Sequence, residues 1–319
     1  MKLFLARGKA PNFGDELNDH LLPRVFPDFF DDDPSTLFLA IGSILYDTHP
    51  AEPLKLVFGS GFGGYGKPAG LGERWRVYGL RGPRTARALG LDASHVAGDA
   101  ATLIHRYRRP GMPKTARCSF MPHWESLDRG DWENVCRLAG VRFIDPRWPV
   151  QTVLDLIEGS DLVITEAMHG AIVADALRVP WIPVMPLHGS HRFKWFDWAE
   201  SLDIDLRARK LVPSSIAECW VLATQREGRR VASPGRFLAP VFDAVNAGLN
   251  HAAAARLNQL SRAQPVLSAD GGLARVVARL EQKAHEIRRD FAQDRRVETR
   301  RQWTFTHGNP DFDPSHQPS

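Results

Sequence analysis

The chain has 319 residues, of which 43% are hydrophobic and 24% charged; these are globular values, with length enough for two domains of ordinary size. Three cysteines, Cys118, Cys136 and Cys219, stand far apart with no CxxC pair, which excludes a disulfide scaffold or a thiolate metal site and fits a reducing compartment. The formal charge is +4, and residues 275–301 alone carry nine Lys/Arg against five Asp/Glu, so the basic excess belongs to the tail and does not point to nucleic acid.

At the amino terminus too few apolar residues precede Arg7 and Lys9 for a secretory leader, and residues 2–6 are predicted to be a first strand. No apolar run approaches the roughly 18 to 20 residues of a membrane-spanning helix, so a cytoplasmic protein is expected. Next, Pro11-Asn12-Phe13-Gly14-Asp15 supplies a glycine turn and a helix start at Asp15. Backbone N–H groups and a carboxylate at such a start suit an anion or a sugar hydroxyl; a plain loop with Asp15 as N-cap is the structural alternative.

Two strands, around residues 37–45 and 54–64, run into glycine. Gly59, Gly61, Gly63 and Gly64 permit a close backbone approach to phosphate or sugar, but the spacing is not the GxGxxG of a dinucleotide site. A further strand, turn and helix cover residues 75–90, with Pro83 in the first helical turn. Arg81 at the strand end and Arg84 at the helix start each suit a bidentate clamp on carboxylate or phosphate. Asp99 closes the next strand in a tight turn and reads as structural.

Residues 105–114 are rich in Arg, Pro and Gly and form the linker candidate. Beyond them a strand ends at His123 and Glu125, followed by a helix over residues 132–139, a strand at 141–145 and a helix over 150–158. Leu162-Val163-Ile164 is the unbroken apolar run of a strand buried on both faces. It ends at Thr165-Glu166-Ala167-Met168-His169-Gly170, and Ile172, Val173, Ala176 and Leu177 continue at helical spacing to Val179-Pro180. Strands alternating with helices on both sides of the linker predict an α/β chain of two Rossmann-like, doubly wound domains, 1–108 and 115–236, facing a cleft. Open α/β sheets bind ligands at the carboxyl ends of their strands, which is where Glu166 and His169 stand.

After Pro186, Arg192, Lys194 and Asp197 sit among Phe193, Trp195, Phe196 and Trp198, which suits a cleft with an apolar wall and a few polar groups. Hydrophobic core is the alternative for those aromatics. A helical extension is expected over residues 237–302. In it Leu273, Val276, Val277, Leu280, Ala284, Ile287 and Phe291 mark one face, for packing back onto the domains or for pairing with a second subunit in a homo-oligomer. Residues 303–319 are expected to be a disordered tail.

Taken together, these segments resemble the polysaccharide pyruvyltransferase family, particularly its bacterial exopolysaccharide members of the succinoglycan type. The resemblance rests on Asn12-Phe13-Gly14-Asp15, Gly59-Ser60-Gly61, Arg81-Gly82-Pro83-Arg84-Thr85, Gly98-Asp99-Ala100-Ala101 and Glu166-Ala167-Met168-His169-Gly170 with Val179-Pro180, in the family's order over about residues 1–200. It implies a GT-B-like fold and transfer of a pyruvyl group from phosphoenolpyruvate to two hydroxyls of one sugar. The product is a cyclic pyruvate ketal, and phosphate is released. Phosphoenolpyruvate is then the donor co-substrate, no cofactor is needed, and the acceptor is an oligosaccharide or a lipid-linked saccharide. Many family members carry an arginine two residues before the motif histidine; Ala167 occupies that place here, which moves the anion clamp to Arg81, Arg192 and Lys194.

On this reading His169 is the first choice for the acid that protonates the enol carbon or the departing phosphate, and Glu166 or Asp15 takes the sugar hydroxyl proton. Asn12, Gly14, Gly59, Gly61, His123 and Gly170 complete the expected substrate-binding set. No metal-ligand cluster is evident, and none is required where cationic side chains neutralise the phosphate. A nucleotide-sugar glycosyltransferase and a non-catalytic glycan-binding protein share this architecture and remain open. The basic tail adds peripheral attachment to an anionic inner membrane face, where a lipid-linked acceptor would lie.

Overall fold

Four runs in the first half, rich in Leu, Val and Phe, become strands: β1 (Lys2–Leu3), β2 (Thr36–Leu39), β3 (Leu54–Ser60) and β4 (Trp75–Leu80). A computed structural model of the chain describes residues 1–6, 8, 10–187, 189–226 and 239–307, with the backbone alone for 190 and 292–307. All four strands pair in parallel in the order β1-β2-β3-β4, and Val96 bridges to Leu80 at the outer edge. This order never reverses, so the first sheet is not doubly wound as expected. Only α1 (Phe13–Val25), between β1 and β2, and α2 (Pro83–Ala88), after β4, serve as helical crossovers here. The links between β2, β3 and β4 are loops carrying the glycines.

The second half alternates as predicted. Its strands are β5 (Ser119–Met121), β6 (Arg142–Phe143), β7 (Val163–Thr165) and β8 (Trp181–Pro183). Between them run α3 (Trp132–Ala139), α4 (Val150–Glu158) and α5 (Met168–Ala176). The parallel order is β6-β5-β7-β8, so the winding reverses between β5 and β7. Met121 pairs with Thr165, which sets those two strand ends level. Residues leaving β5 and residues leaving β7 therefore meet at the crevice where α/β sheets bind ligands.

The two halves share one core. Phe13, Leu17 and Leu21 of α1 pack in the same buried cluster as Ile144, Val153, Ile157, Ile172 and Val173. Polar ties reinforce the junction: the Phe13 N–H donates to the Pro146 carbonyl at 2.7 Å, and His105 Nδ1 lies 2.8 Å from the Ala176 carbonyl oxygen. The stretch 105–114 is no slack tether, because Arg109 is bound to Glu158 and Asp155 and Lys114 Nζ donates to the carbonyls of Glu158 and Ser160.

Among the described residues four α-helices follow: α6 (Arg192–Ser201), α7 (Ile216–Thr224), α8 (Ala239–Leu260) and α9 (Asp270–His307). Through Ala253, Ala254, Leu257 and Leu260, α8 packs into the core of the second half. The last helix crosses back to the first half, where Leu273, Val276, Val277, Leu280, Ala284 and Ile287 are buried in the shared core and Phe291 packs against it. The predicted apolar stripe is thus packed back onto the rest of the chain, one of the two roles expected of it. Of the tail expected to be disordered from 303, the helix takes residues to His307, and 308–319 lie outside the described residues. Among the described residues no helix is long and apolar enough to cross a membrane.

Candidate active site

A cavity of about 410 Å³ opens between the carboxyl ends of the two sheets. From the first half Asn12, Asp15, Ser43, Tyr46 and Tyr65 line it, and from the second His123, Trp124, Glu125, Met168, His169, His191 and Lys194. His169 sits in the first turn of α5, whose N-terminus follows β7 directly. Its imidazole fits only because residue 14 lacks a side chain: a Cβ there would stand 2.0 Å from His169 Nδ1. Nε2, on the other side of the ring, lies 4.0 Å from Asp99 Oδ2. Burial, followed by the charges of Lys194 and Arg81, lowers the His169 pKa to about 3, so the ring is neutral near pH 7.

Asp99 is completely buried, and burial raises its pKa to about 6 against the opposing charge of Arg81. Its Oδ1 accepts from the Ala101 N–H at 2.9 Å, the turn role expected of it. Oδ2 has no hydrogen-bond partner and backs the His169 ring. Sequence reasoning missed this second role; the signal was a carboxylate directly after a strand-end glycine.

Across the cavity, Asn12 Nδ2 donates to Asp15 Oδ2 at 3.0 Å. Burial raises the Asp15 pKa, and the Asn12 hydrogen bond and Lys194 charge only partly offset it. Lys194 reaches the cavity from α6. Burial and then Arg81 lower its pKa to about 8, while Glu125 and Asp15 pull the other way. A histidine, a basic carboxylate and a lysine therefore face one space.

Other expected site residues lie elsewhere. Arg81 is fully buried, with Nε donating to Asp197 Oδ2 at 2.8 Å, one terminal nitrogen to Ser43 Oγ at 2.7 Å and the other to the Phe62 carbonyl at 2.6 Å. Gly61 makes room for that guanidinium, since a Cβ would stand 2.3 Å from Arg81 Cζ. Asp197 also accepts from the Thr85 N–H at 2.8 Å near the start of α2, so Arg81 and Asp197 tie the halves together; Arg81 touches the cavity lining at Ser43 and acts on His169 and Lys194 through its charge. Arg192 is exposed and does not line the cavity. Trp195 and Trp198 are fully buried core residues.

Glu166 is 1% exposed and lies behind the cavity wall. Its Oε2 accepts from the His123 N–H at 2.8 Å, which fixes the turn after β5. Burial, with help from Glu218, raises its pKa to about 7. Gly59, in the left-handed region at φ 75°, packs against Ala100, and Gly170 faces Thr165 and Met121; both support the site from behind.

His123 does line the cavity, and the fold brings it to Glu125 and His191. His123 Nδ1 is 3.6 Å from Glu125 Oε2, and His191 Nε2 is 3.3 Å from the same oxygen. Burial, then the charges of Lys194, His191 and Arg129, hold the His123 pKa well below the ordinary histidine value. No ligand spacing was legible in sequence because His191 stands 66 positions after Glu125.

Fold and cavity describe an α/β protein with a cavity at its strand ends lined by histidines, carboxylates and a lysine. Comparison with known proteins makes the class specific: the polysaccharide pyruvyl transferase family matches residues 57–188. The succinoglycan biosynthesis protein ExoV of Rhizobium meliloti (strain 1021) is 35% identical over 316 residues, covering 91% of this chain and 100% of that protein. The chain belongs to the polysaccharide pyruvyl transferase family and is a transferase. No solved structure matches it significantly.

Proposed function

We propose that the protein moves the pyruvyl group of phosphoenolpyruvate onto two hydroxyls of one sugar in a bacterial exopolysaccharide or its lipid-linked precursor. The observation that carries this reading is the convergence of His169, Asp15 and Lys194 on one cavity between two α/β halves, in a member of this family. We take those halves to be arranged as in GT-B transferases, donor on one side and acceptor on the other, at the cytoplasmic membrane face. ExoV, by its name, serves succinoglycan biosynthesis, and an acceptor of that chemical class fits a cavity with aromatic rings at Tyr46, Tyr65 and Trp124.

The donor carries a carboxylate and a phosphate. Lys194 supplies the cation that Ala167 does not, and the N-terminus of α5 offers N–H groups and a positive dipole end. His169 is neutral near pH 7; a phosphate dianion beside it favours the imidazolium and raises its pKa, which readies a proton. That proton goes to the methylene carbon of the enol, and C2 becomes electrophilic. One sugar oxygen bonds to C2 as Asp15, made more basic by burial, takes its proton. The second hydroxyl then attacks C2, the C2–O bond to phosphate breaks, and its proton leaves with the phosphate. Asp99 steadies the His169 ring from behind.

The test is phosphate release from phosphoenolpyruvate by the purified protein with and without oligosaccharide acceptor. Release only with acceptor supports the reading, as does its loss in folded His169→Ala. Sugar transfer from a nucleoside diphosphate sugar, with phosphoenolpyruvate inert, would replace it.

A further inference from the structure

We propose that His123, Glu125 and His191 form a binding site for a divalent transition-metal ion in the wall of the cavity. The three residues come from the end of β5, the turn after it and the start of α6. Their ligand atoms all lie within 4.8 Å of one another. Metal–ligand bonds of about 2.0–2.2 Å at tetrahedral angles set neighbouring ligand atoms roughly 3.4 Å apart. Glu125 Oε2 already stands 3.3 Å from His191 Nε2 and 3.6 Å from His123 Nδ1.

Burial and hydrogen bonding add to the geometry. The two histidine side chains are 7% and 10% exposed, their ring centroids are 4.7 Å apart, and His123 Nδ1 is buried with no hydrogen-bond partner. A buried ring nitrogen aimed at a carboxylate oxygen beyond hydrogen-bond distance is poorly satisfied alone and well satisfied by an ion between them. Two imidazoles and one carboxylate are a borderline-soft set that suits Zn²⁺, Co²⁺ or Ni²⁺ better than Mg²⁺ or Ca²⁺. Three protein ligands leave coordination open, and all three residues line the cavity, so an oxygen of an anionic substrate can complete it. Arg129, 3.7 Å from Glu125, and Lys194 add positive charge that such an anion balances. This last role rests on the function proposed above; the ion site itself does not.

The experiment uses the full chain, freed of metal by chelator and dialysed against Co²⁺ as a spectroscopic probe and against Zn²⁺, with no substrate present. The expected result is one equivalent bound, with visible Co²⁺ absorption of a low-coordinate site and a raised thermal midpoint. His191→Ala and Glu125→Gln, on different elements, should each weaken binding by more than the roughly 10- to 100-fold that loss of an outer-shell partner costs, with unchanged circular dichroism. Absence of stoichiometric binding in the wild type, or wild-type affinity in either variant, overturns the site. Full pyruvyl transfer by metal-free protein would remove only the ion's contact with the donor, whereas metal binding without any pyruvyl transfer would sink the functional reading and leave the site.

Discussion

Replacing Gly14 by alanine is the most local way to disturb the proposed chemistry without touching a chemical group. The new Cβ would stand 2.0 Å from His169 Nδ1 and 2.7 Å from the neighbouring ring carbons. Ordinary contact begins near 3.4 Å, so the ring must withdraw by about 1.4 Å or the start of α1 must yield. That start is pinned by the Phe13 N–H to the Pro146 carbonyl, and Asp99 backs the ring, so the imidazole is displaced from its place beside the cavity. Misplacing a reacting group by about 1 Å costs on the order of 100-fold in rate. Overpacking of this size costs only about 1–3 kcal/mol of stability, which a domain of this size survives. Gly14→Ala is therefore expected to lower kcat by at least about 100-fold while remaining folded. The assay is acceptor-dependent phosphate release, with circular dichroism and urea titration as folding controls. Gly14→Ala with His169→Ala should be no slower than His169→Ala alone, because both act through one ring. A folded Gly14→Ala with wild-type kcat would refute the placement of His169 in the reaction.

Further outcomes follow from the surrounding groups. Lys194→Ala should raise KM for phosphoenolpyruvate by roughly 10- to 100-fold, the equivalent of one charge-assisted hydrogen bond, with partial recovery in Lys194→Arg; an unchanged KM would remove Lys194 from the anion clamp. Arg81→Ala leaves Asp197 buried and unpaired, and should cost about 3–5 kcal/mol in urea titration; a loss below about 1 kcal/mol would contradict the tie described between the halves. Glu166 carries a pKa raised from 4.5 to about 7, so its contribution is fully present below pH 4.5 and is lost as pH rises through about 7. That loss is at most roughly 3 kcal/mol, and Glu166→Gln should remove it, narrowing the stability difference between about pH 5 and pH 8. His169 works with the opposite sign, its contribution present above pH 6.5 and lost as pH falls toward about 3, so the comparison is wild type minus Glu166→Gln at each pH. Identical pH slopes in the two proteins would mean that Glu166 is ionised when buried.

Local pattern carried much of this structure. The helices over Trp132–Ala139 and Val150–Glu158 and the strand–turn–helix around His169 follow from apolar periodicity and from glycine or proline boundaries. What could not be read was tertiary pairing. Arg81 looked like a surface clamp because its partner Asp197 lies 116 positions away and neutralises it inside the protein. Glu166 looked catalytic because a polar residue at a strand end usually faces ligand; its side chain turns instead to the His123 N–H at the sheet's reversal. The helix Arg192–Ser201 was hidden by an aromatic run in which Trp195, Asp197, Trp198 and Ala199 are buried and the remaining aromatics only partly covered. The order of the first sheet was not legible either, since its middle strands are joined by glycine loops rather than by helices whose period would mark each crossover.

The most direct test of the central claim is the mass of the acceptor. Wild-type protein is incubated with phosphoenolpyruvate and candidate exopolysaccharide oligosaccharides, and the products are read by mass spectrometry alongside phosphate release. The account predicts that one acceptor gains a pyruvate less one water, in step with phosphate, and that folded His169→Ala produces neither. An acceptor that gains a hexose from a nucleotide sugar instead, or pyruvylation undiminished in His169→Ala, would contradict it.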